Sequence, residues 1–372
     1  MKKLNDMKNK FGIHLFQNKE NNSLREPIIF ETSNQKDQQG ISHLFETGKI
    51  SEVVDVYDEQ IQEYREVKNP ALIFKPENKK STIFDGVWVY LPWSGKLVHI
   101  LEKNKYNITR ISRNNPFIGP ADQKKLEKLK IGIAGLNVGN PGAVCMALGG
   151  VGNSFKLADF DTLSLTNLNR FRAGLSDLGK NKARLTAEQM YEVNPYLKIE
   201  LFEEGIQDSK IDSFLLKPRI DILIEETDNL PLKIKIRERA RMHGIPVLMV
   251  TGNGSNVIVD VERFDKDNTL PLMSGFLKES VIETVKEGPK DFDTKILLAR
   301  DFMGSKFLVP KLRESFSQIG KSLAGIPQLG EASFMRGAVL SYFTRAIFSD
   351  KNSISSGRYV VELDTIKQVS KK

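Results

Sequence analysis

Four polar side chains in the middle of the chain have the chemistry needed to bind a nucleoside triphosphate. They are Asn167, Arg170, Lys182 and Asp228. When a triphosphate is cleaved, negative charge builds on the departing pyrophosphate, and Arg, Lys and Mg²⁺ offset it. Asp228 is the natural metal ligand, because Mg²⁺ typically takes one or two carboxylates together with phosphate oxygens. Each residue alone has a plainer interpretation, since Arg170 and Lys182 could be surface charges and Asp228 could cap a helix.

A glycine turn precedes these residues in the chain. Gly135 follows an apolar run, and Gly139 and Asn140 come shortly after it. Glycine at a strand-to-helix turn lets backbone N–H groups approach a phosphate, so we predict that these three residues contact the nucleotide. The spacing departs from G-x-G-x-x-G, because Asn137 and Asn140 stand where the later glycines would be. Pro141 after Asn140 predicts that the helix starts there.

A second apolar run ends in Asp159 and Asp161. An acidic side chain at the end of this strand can bond ribose hydroxyls, which fits NAD, FAD and ATP equally. The cations farther along the chain, Arg170 and Lys182, distinguish ATP from NAD and FAD. Dinucleotide dehydrogenases bind pyrophosphate mainly through the backbone, so an NAD- or FAD-dependent oxidoreductase remains an alternative that the cation cluster disfavours.

Strand and helix patterns alternate from residue 130 onward, which predicts an α/β, Rossmann-like doubly wound mixed sheet. Residues 265–330 are harder to read and favour loops with short helices. Upstream, we predict a small N-terminal α+β module. Its predicted elements are a helix within 50–67 and strands at 27–30, 71–74, 87–91 and 97–101, the last two forming a hairpin. The predicted domains are 1–105, whose polar start favours partial disorder, and 106–372.

Composition narrows the class of protein. The 372 residues are 40% hydrophobic and 27% charged, as in ordinary globular proteins. No apolar run reaches the roughly 20 residues of a membrane span, and the N-terminus lacks a secretory apolar segment, so we predict a cytoplasmic protein. The net charge of +8 permits a nucleic-acid partner such as tRNA. The lysines are dispersed, however, and an anionic nucleotide explains the charge about as well.

The order of these motifs resembles the ThiF/MoeB-type ATP-dependent adenylyltransferases, the family that includes the ubiquitin-activating enzymes. The specific motifs are Asn-Leu-Asn-Arg at 167–170, Gly-x-x-Lys at 179–182 and Thr-Asp-Asn at 227–229. The organisation is nearest to the ThiF-like domain that some bacterial proteins carry beside a nitroreductase-like domain. The resemblance implies that ATP and Mg²⁺ are bound. By position, Asp159 would hold the ribose, Asn167, Arg170 and Lys182 the phosphates, and Asp228 the metal, with Asp161 close by.

The family also has an R-x-x-R element whose second arginine reaches the partner subunit's nucleotide. Here this is 110–113, so the resemblance implies that Arg113 acts across a homodimer. The reaction implied is attack of a substrate carboxylate, on a peptide or protein C-terminus or on a small molecule, at the α-phosphorus of ATP. An acyl-adenylate and pyrophosphate result. A carboxylate is already ionised at neutral pH, so the reaction requires no general base.

Several positions depart from the family pattern. Phe171 stands where glutamine is usual, and Lys233 ends a segment that replaces the common Thr-Arg. The single cysteine, Cys145, lies among apolar residues of the first helix and is expected to be a small hydrophobe. A thioester-forming enzyme is therefore disfavoured. Two further alternatives stay open, which are a tRNA-modifying dehydratase of the same fold and a degenerate nucleotide-binding partner protein.

Overall fold

The computed structural model describes residues 26–75, 80–288, 291–349, 354–363 and 365. These residues build two β-sheets, one of four strands within 28–100 and one of seven strands within 130–361. The predicted domain boundary at residues 105 and 106 falls between the two sheets, and the division into domains stays a prediction. Most of the segment with predicted disorder, residues 1–25, lies outside the described residues. Over the ranges described, no helix has the length and apolarity to cross a membrane.

The smaller sheet has the strand order β1-β3-β4-β2. Its strands are β1 (Ile28–Phe30), β2 (Glu52–Asp55), β3 (Val87–Leu91) and β4 (Lys96–Ile100), and its helices are α1 (Gln35–Glu46) and α2 (Tyr57–Lys68). The predicted hairpin is confirmed, because β3 and β4 pair antiparallel. Leu44 of α1 packs with Phe30 and Trp88 to form the centre of this module.

The helix predicted over 50–67 is wrong at its start, since Glu52–Asp55 is a strand that pairs in parallel with β4. Its partner lies more than 40 residues away, so local spacing could not reveal it. Val53 and Val56 suggested a buried helical stripe, yet each is 47% exposed.

The strand predicted at 71–74 is also wrong, because Pro70–Phe74 is a 3₁₀ helix. The side chain of Asn69 accepts a hydrogen bond from the N–H of Ala71 at 3.3 Å, and proline begins the turn. This capping favours a helical turn over extended backbone. Phe74 is left 87% exposed.

The larger sheet confirms the predicted Rossmann-like mixed sheet. Its strands are β5 (Lys130–Ala134), β6 (Ser154–Ala158), β7 (Lys198–Phe202), β8 (Ile222–Glu225), β9 (Val247–Asn253), β10 (Asn256–Glu262) and β11 (Gly357–Val361). The order is β11-β10-β9-β8-β5-β6-β7. Strands β5 to β9 are parallel, β10 is antiparallel to β9, and β11 is antiparallel to β10.

Helices cover both faces of the larger sheet. In chain order they are α3 (Lys103–Arg110), α4 (Pro120–Leu126), α5 (Leu136–Gly149), α6 (Lys182–Val193), α7 (Ile211–Leu216), α8 (Leu230–Met242), α9 (Glu279–Glu287), α10 (Phe292–Met303), α11 (Pro310–Ser315) and α12 (Gly330–Phe348). The apolar side chains of α5, α6 and α12 pack in one core cluster, and those of α7 to α10 pack in another. This is the doubly wound arrangement. The short helices predicted within 265–330 are confirmed as α9 to α11.

Two features of this fold position a site. First, β5 and β8 are neighbours, and ligands of such sheets bind where the strand order reverses, beyond the carboxyl ends. Second, α12 crosses very close to α5. A Cβ on Gly337 would lie 2.7 Å from the carbonyl oxygen of Pro141, and one on Gly142 would lie 2.6 Å from the Leu340 side chain. Glycine at this crossing therefore brings the first half of α12 to the edge where α5 begins.

Candidate nucleotide-binding site

A cavity of about 920 Å³ opens at the carboxyl ends of β5, β6, β8 and β9. Five of the residues predicted from the sequence line it. They are Gly135, Asp159, Asp161, Arg170 and Asp228. The loop 324–329 and Arg336 at the first half of α12 close another side. The volume and polar lining suit a nucleotide-sized ligand.

The turn from β5 into α5 depends on Gly135 and Asp159. Gly135 has a φ of +87°, and a Cβ there would lie 2.4 Å from the carbonyl of Glu226. Oδ2 of Asp159 accepts a hydrogen bond from the N–H of Leu136 at 2.6 Å, and Oδ1 accepts one from the N–H of Asp161 at 2.8 Å. Burial raises the pKa of the Asp159 carboxyl, which is 8% exposed. The carboxylate therefore fixes the turn while still facing the cavity.

This arrangement corrects the predicted helix start at Asn140 and Pro141. α5 begins at Leu136, and Pro141 lies inside it. A carboxylate 23 residues downstream caps the helix, a contact that local sequence signals do not contain.

Gly139 and Asn140 do not line the cavity. A Cβ on Gly139 would lie 2.6 Å from the Ile133 side chain, so this glycine permits α5 to approach β5. Asn140 is fully buried, and its Nδ2 donates to Oγ1 of Thr186 at 2.9 Å and to Oε1 of Gln189 at 2.8 Å. Its side chain thus joins α5 to α6 in this structure.

Lys182 is the first residue of α6, whose N-cap is Asn181. Its Nζ donates to Oδ2 of Asp161 at 2.9 Å. Lys182 is 4% exposed, whereas the Asp161 side chain is 49% exposed and lines the cavity. The structure therefore brings the ammonium to the cavity edge through its carboxylate partner.

Asn167 and Arg170 lie in the loop after β6. Asn167 is buried, and its Oδ1 accepts from the N–H of Ser164 at 3.2 Å, which stabilises the short helical turn that it ends. Nη1 of Arg170 donates to the carbonyl of Thr166 and to Oδ1 of Asn169, each at 2.9 Å. Its buried Nε has no hydrogen-bond partner in the part of the chain that the structure describes, and burial lowers the pKa of this guanidinium.

Asp228 follows β8, is exposed and lines the cavity. Asp228 is not the cap of the next helix. Its neighbour Asn229 is the N-cap of α8, and the Asn229 side chain accepts a hydrogen bond from the N–H of Leu232 at 3.1 Å. Within the described ranges, no three carboxylate, histidine or cysteine side chains converge to hold a metal. Such a site fits Mg²⁺ only where phosphate oxygens complete the coordination.

The sequence reasoning missed two ionisable residues of the cavity wall. Arg336 is 2% exposed, and its Nη1 and Nη2 lie 3.2 and 3.3 Å from Oε1 of Gln328. Burial lowers its pKa to about 10. Glu226 accepts a hydrogen bond from the N–H of Val250 at 2.6 Å, and burial raises its pKa to about 8. Arg336 interrupts the middle of an otherwise uncharged stretch of α12, residues 332–344, and this was a signal that the sequence contained.

A buried charge network lies beneath the cavity. Glu225 receives hydrogen bonds from Lys233, at 2.9 Å, and from Arg237, whose Nε also donates to Glu262 at 2.9 Å. Burial alone would raise the pKa of Glu225, but Lys233 and Arg237 lower it to about 2. Lys233, which ends the segment that departs from the family pattern, thus pairs within the protein.

Arg113 and Cys145 lie away from the cavity. Arg113 is exposed, and the adjacent Arg110 donates to the carbonyls of Ala147 and Leu148, each at 2.9 Å, at the end of α5. The 14 residues of α5 span roughly 20 Å, so Arg113 is remote from the cavity of its own chain. Cys145 is partly buried on α5, and burial raises the pKa of its thiol.

Comparison with known proteins places these motifs in a family. Residues 111–269 match the ThiF family. An uncharacterized protein of Mycobacterium tuberculosis is 32% identical over 276 residues, and this chain spans only 38% of that relative's length. The matched segment is 74% of this chain. The molybdopterin-synthase adenylyltransferase of Haemophilus influenzae is 27% identical over 194 residues, covering 50% of this chain and 76% of that enzyme.

Solved structures give weaker likenesses. Escherichia coli MccB with AMPCPP and MccA has a TM-score of 0.48 at 17% identity and covers 70% of this chain and 71% of its own. The E. coli tRNA N6-threonylcarbamoyladenosine dehydratase TcdA has a TM-score of 0.39 at 20% identity, with coverages of 41% and 65%. Neither is similar enough to transfer a function. The family match and the site motifs agree, and the chain contains a ThiF family domain.

Proposed function

We propose that this protein is an ATP-dependent adenylyltransferase that activates a substrate carboxylate as an acyl-adenylate and releases pyrophosphate. One observation carries the proposal. The cavity at the β5–β8 switch point brings together a glycine turn, a strand-end carboxylate, a guanidinium and an exposed second carboxylate, Asp228. The similarity of the ThiF domain to molybdopterin-synthase adenylyltransferases supports the same class of reaction.

Each residue has a role in this proposal. Asp159 accepts hydrogen bonds from the ribose hydroxyls, because the second lone pair of each oxygen remains after the backbone contacts. Arg170, Asn167 and Lys182 bind phosphate oxygens, and Asp161 holds Lys182 at the cavity edge until the triphosphate arrives. Mg²⁺, held by Asp228 and phosphate oxygens, would offset the charge that builds on pyrophosphate.

The reaction fits the side chains that are present. The substrate carboxylate oxygen forms a bond to the α-phosphorus while the bond to the bridging oxygen of pyrophosphate breaks. The attacking group is ionised at neutral pH and needs no base. Cys145 lies off the cavity wall, so we propose a reaction without a catalytic cysteine. The acceptor is a peptide or protein C-terminus or a small carboxylic acid.

We further propose a homodimer in which Arg113 of the partner subunit reaches the nucleotide. The remoteness of Arg113 from its own cavity supports this assignment. The test mixes two inactive variants, Arg113→Ala and Asp228→Ala. If Arg113 acts across the interface, mixed dimers contain one intact site and regain up to half of the activity per mixed dimer. If it acts within its own chain, mixing restores nothing.

The adenylation site itself is tested by ligand-induced thermal shift with ATP and Mg²⁺, NADH and FAD. A ligand at 100 times its dissociation constant stabilises the folded protein by about 2.7 kcal/mol. We expect a shift with ATP and Mg²⁺ that Asp228→Ala abolishes. The matched control is Glu204→Ala, which removes an exposed carboxylate that also lines the cavity and should keep the shift. A shift with NADH or FAD instead would refute the proposal.

Once an acceptor is found, ATP–pyrophosphate exchange provides the direct assay. Arg170→Ala should abolish the exchange, because the pyrophosphate loses a cation that stabilises it. Full exchange in both Arg170→Ala and Asp228→Ala would overturn the assignment.

A further inference from the structure

Arg336 differs from the other buried arginines of this domain in what it contacts. Arg237 pairs with Glu225 and Glu262, and Nε of Arg358 donates to Asp260 at 2.7 Å. Among the residues that the structure describes, no carboxylate lies within ion-pair distance of Arg336, and its buried Nε has no partner. Its two amino groups share one amide oxygen, at 3.2 and 3.3 Å. A buried cation without a counter-ion is costly, so its position at a cavity indicates an anionic ligand.

A chain of hydrogen bonds through uncharged amide and carbonyl groups joins Arg336 to Arg170 around the same cavity. Arg170 donates to Asn169, and Nδ2 of Asn169 donates to the carbonyl of Gln328 at 3.0 Å. Gln328 then accepts from Arg336. In addition, Oγ of Ser333, one turn before Arg336 on α12, donates to the carbonyl of Arg170 at 2.6 Å. The two guanidiniums are thus held in a fixed relation by partners that leave both charges unneutralised.

The acidic neighbour does not cancel these charges at neutral pH. The carboxyl of Glu226 raises the pKa of Arg336 electrostatically, and the like charge of Arg170 lowers the pKa of Arg336. Because burial raises the pKa of Glu226 to about 8, its carboxyl is mostly protonated at pH 7. The part of the wall formed by Arg170, Arg336 and Glu226 therefore presents two positive charges and a neutral acid that can donate a hydrogen bond. A ligand with at least two negative charges matches it, whereas one carboxylate would leave one guanidinium unpaired.

The apolar residue next to Arg170, at a position that is usually polar in the family, also supports an anionic ligand for Arg336. Phe171 stands where the family usually has glutamine, and it is 3% exposed in a cluster with Leu163 and Leu185. It can offer the nucleotide no hydrogen bond. Arg336, from a helix more than 150 residues later, places guanidinium donors on the cavity that Arg170 lines.

We propose that Arg336 is a phosphate-binding residue that, together with Arg170, clamps the terminal phosphates of the nucleotide and the pyrophosphate formed from them. Gln328 positions the guanidinium of Arg336. This inference rests on the proposed function for the identity of the nucleotide, but the clamp itself requires only a polyphosphate.

The experiment is isothermal titration without Mg²⁺ of AMP, ATP and inorganic tripolyphosphate into wild type, Arg336→Gln and Arg336→Lys. We expect Arg336→Gln to weaken ATP and tripolyphosphate at least tenfold and to leave AMP unchanged. Arg336→Lys, which keeps the charge but loses the bidentate geometry, should recover part of the loss. The matched control is Arg345→Gln, which removes the same charge from α12 at a position stacked on Tyr342.

Two outcomes overturn the clamp. One is an equal loss for AMP and ATP in Arg336→Gln, which would show a structural role. The other is an unchanged affinity for tripolyphosphate, or an equal loss in Arg345→Gln, which would show only a general effect of charge. If wild type prefers NADH or FAD to ATP, the proposed function fails separately, since tripolyphosphate still reports on the clamp.

Discussion

The Glu226→Gln substitution tests the electrostatics of the cavity wall. Burial raises the pKa of Glu226 from 4.5 to about 8, so the folded protein binds this proton more tightly than the unfolded chain. The stability that this group contributes is complete below pH 4.5 and is lost as the pH rises to 8. Each pH unit in that window is worth about 1.4 kcal/mol. Because part of the side chain faces the cavity and its water, we expect a loss of about 2 kcal/mol between pH 5 and 7.

Glutamine keeps the oxygen that accepts from the N–H of Val250 and cannot ionise. The difference in the free energy of unfolding between Glu226→Gln and wild type should therefore grow by about 2 kcal/mol from pH 5 to pH 7. Urea unfolding followed by far-UV circular dichroism measures this difference. Glu204→Gln is the control, because its side chain is 80% exposed and it also lines the cavity. Parallel pH profiles for Glu226→Gln and wild type would refute the reasoning.

Three further predictions concern the frame of the site. Asp159→Asn should lower the free energy of unfolding, measured by urea unfolding, by about 1–3 kcal/mol, because an amide offers only one acceptor oxygen to two backbone donors. Titration with ATP should show at least tenfold weaker binding to this variant. Asn140→Ala should cost about 1–3 kcal/mol by thermal or urea unfolding, with ATP affinity retained at temperatures where the variant is folded. Arg237→Met should cost about 3–5 kcal/mol, since Glu262 stays buried without its cation and Glu225 keeps only Lys233; a loss below 1 kcal/mol would contradict this account.

The Rossmann-like, doubly wound class of the larger sheet could be predicted from the sequence because it rests on local signals. Apolar runs, glycine turns and helical stripes alternate along the chain, and right-handed parallel connections leave few arrangements for them. The residues at strand ends, such as Asp159 and Asp228, could be placed on the cavity for the same reason. Strand ends of a parallel sheet meet at one edge.

The errors arose where a distant partner decides the local structure. α5 begins at Leu136 because Asp159 caps it, although Asn140 and Pro141 carry the stronger local start signal. Residues 52–55 are extended because β4 pairs with them. In both places a contact across more than 20 residues outweighs a local preference, which is worth at most about 1 kcal/mol at each position.

Arg336 shows that a different kind of sequence signal was available. The apolar residues of the segment 331–348 predict a long buried helix around it, and the positions three and four residues away hold Ala332, Ser333, Val339 and Leu340. None of these is acidic, so the helix itself provides no counter-ion. A charged side chain that the apolar pattern predicts to be buried, and that has no acidic neighbour on its own helix, needs an anion from another part of the protein or from a ligand. Across the described ranges, the structure supplies no carboxylate at ion-pair distance to Arg336 and places the guanidinium on the cavity wall. A ligand phosphate therefore completes an interaction that both the sequence and the fold leave open.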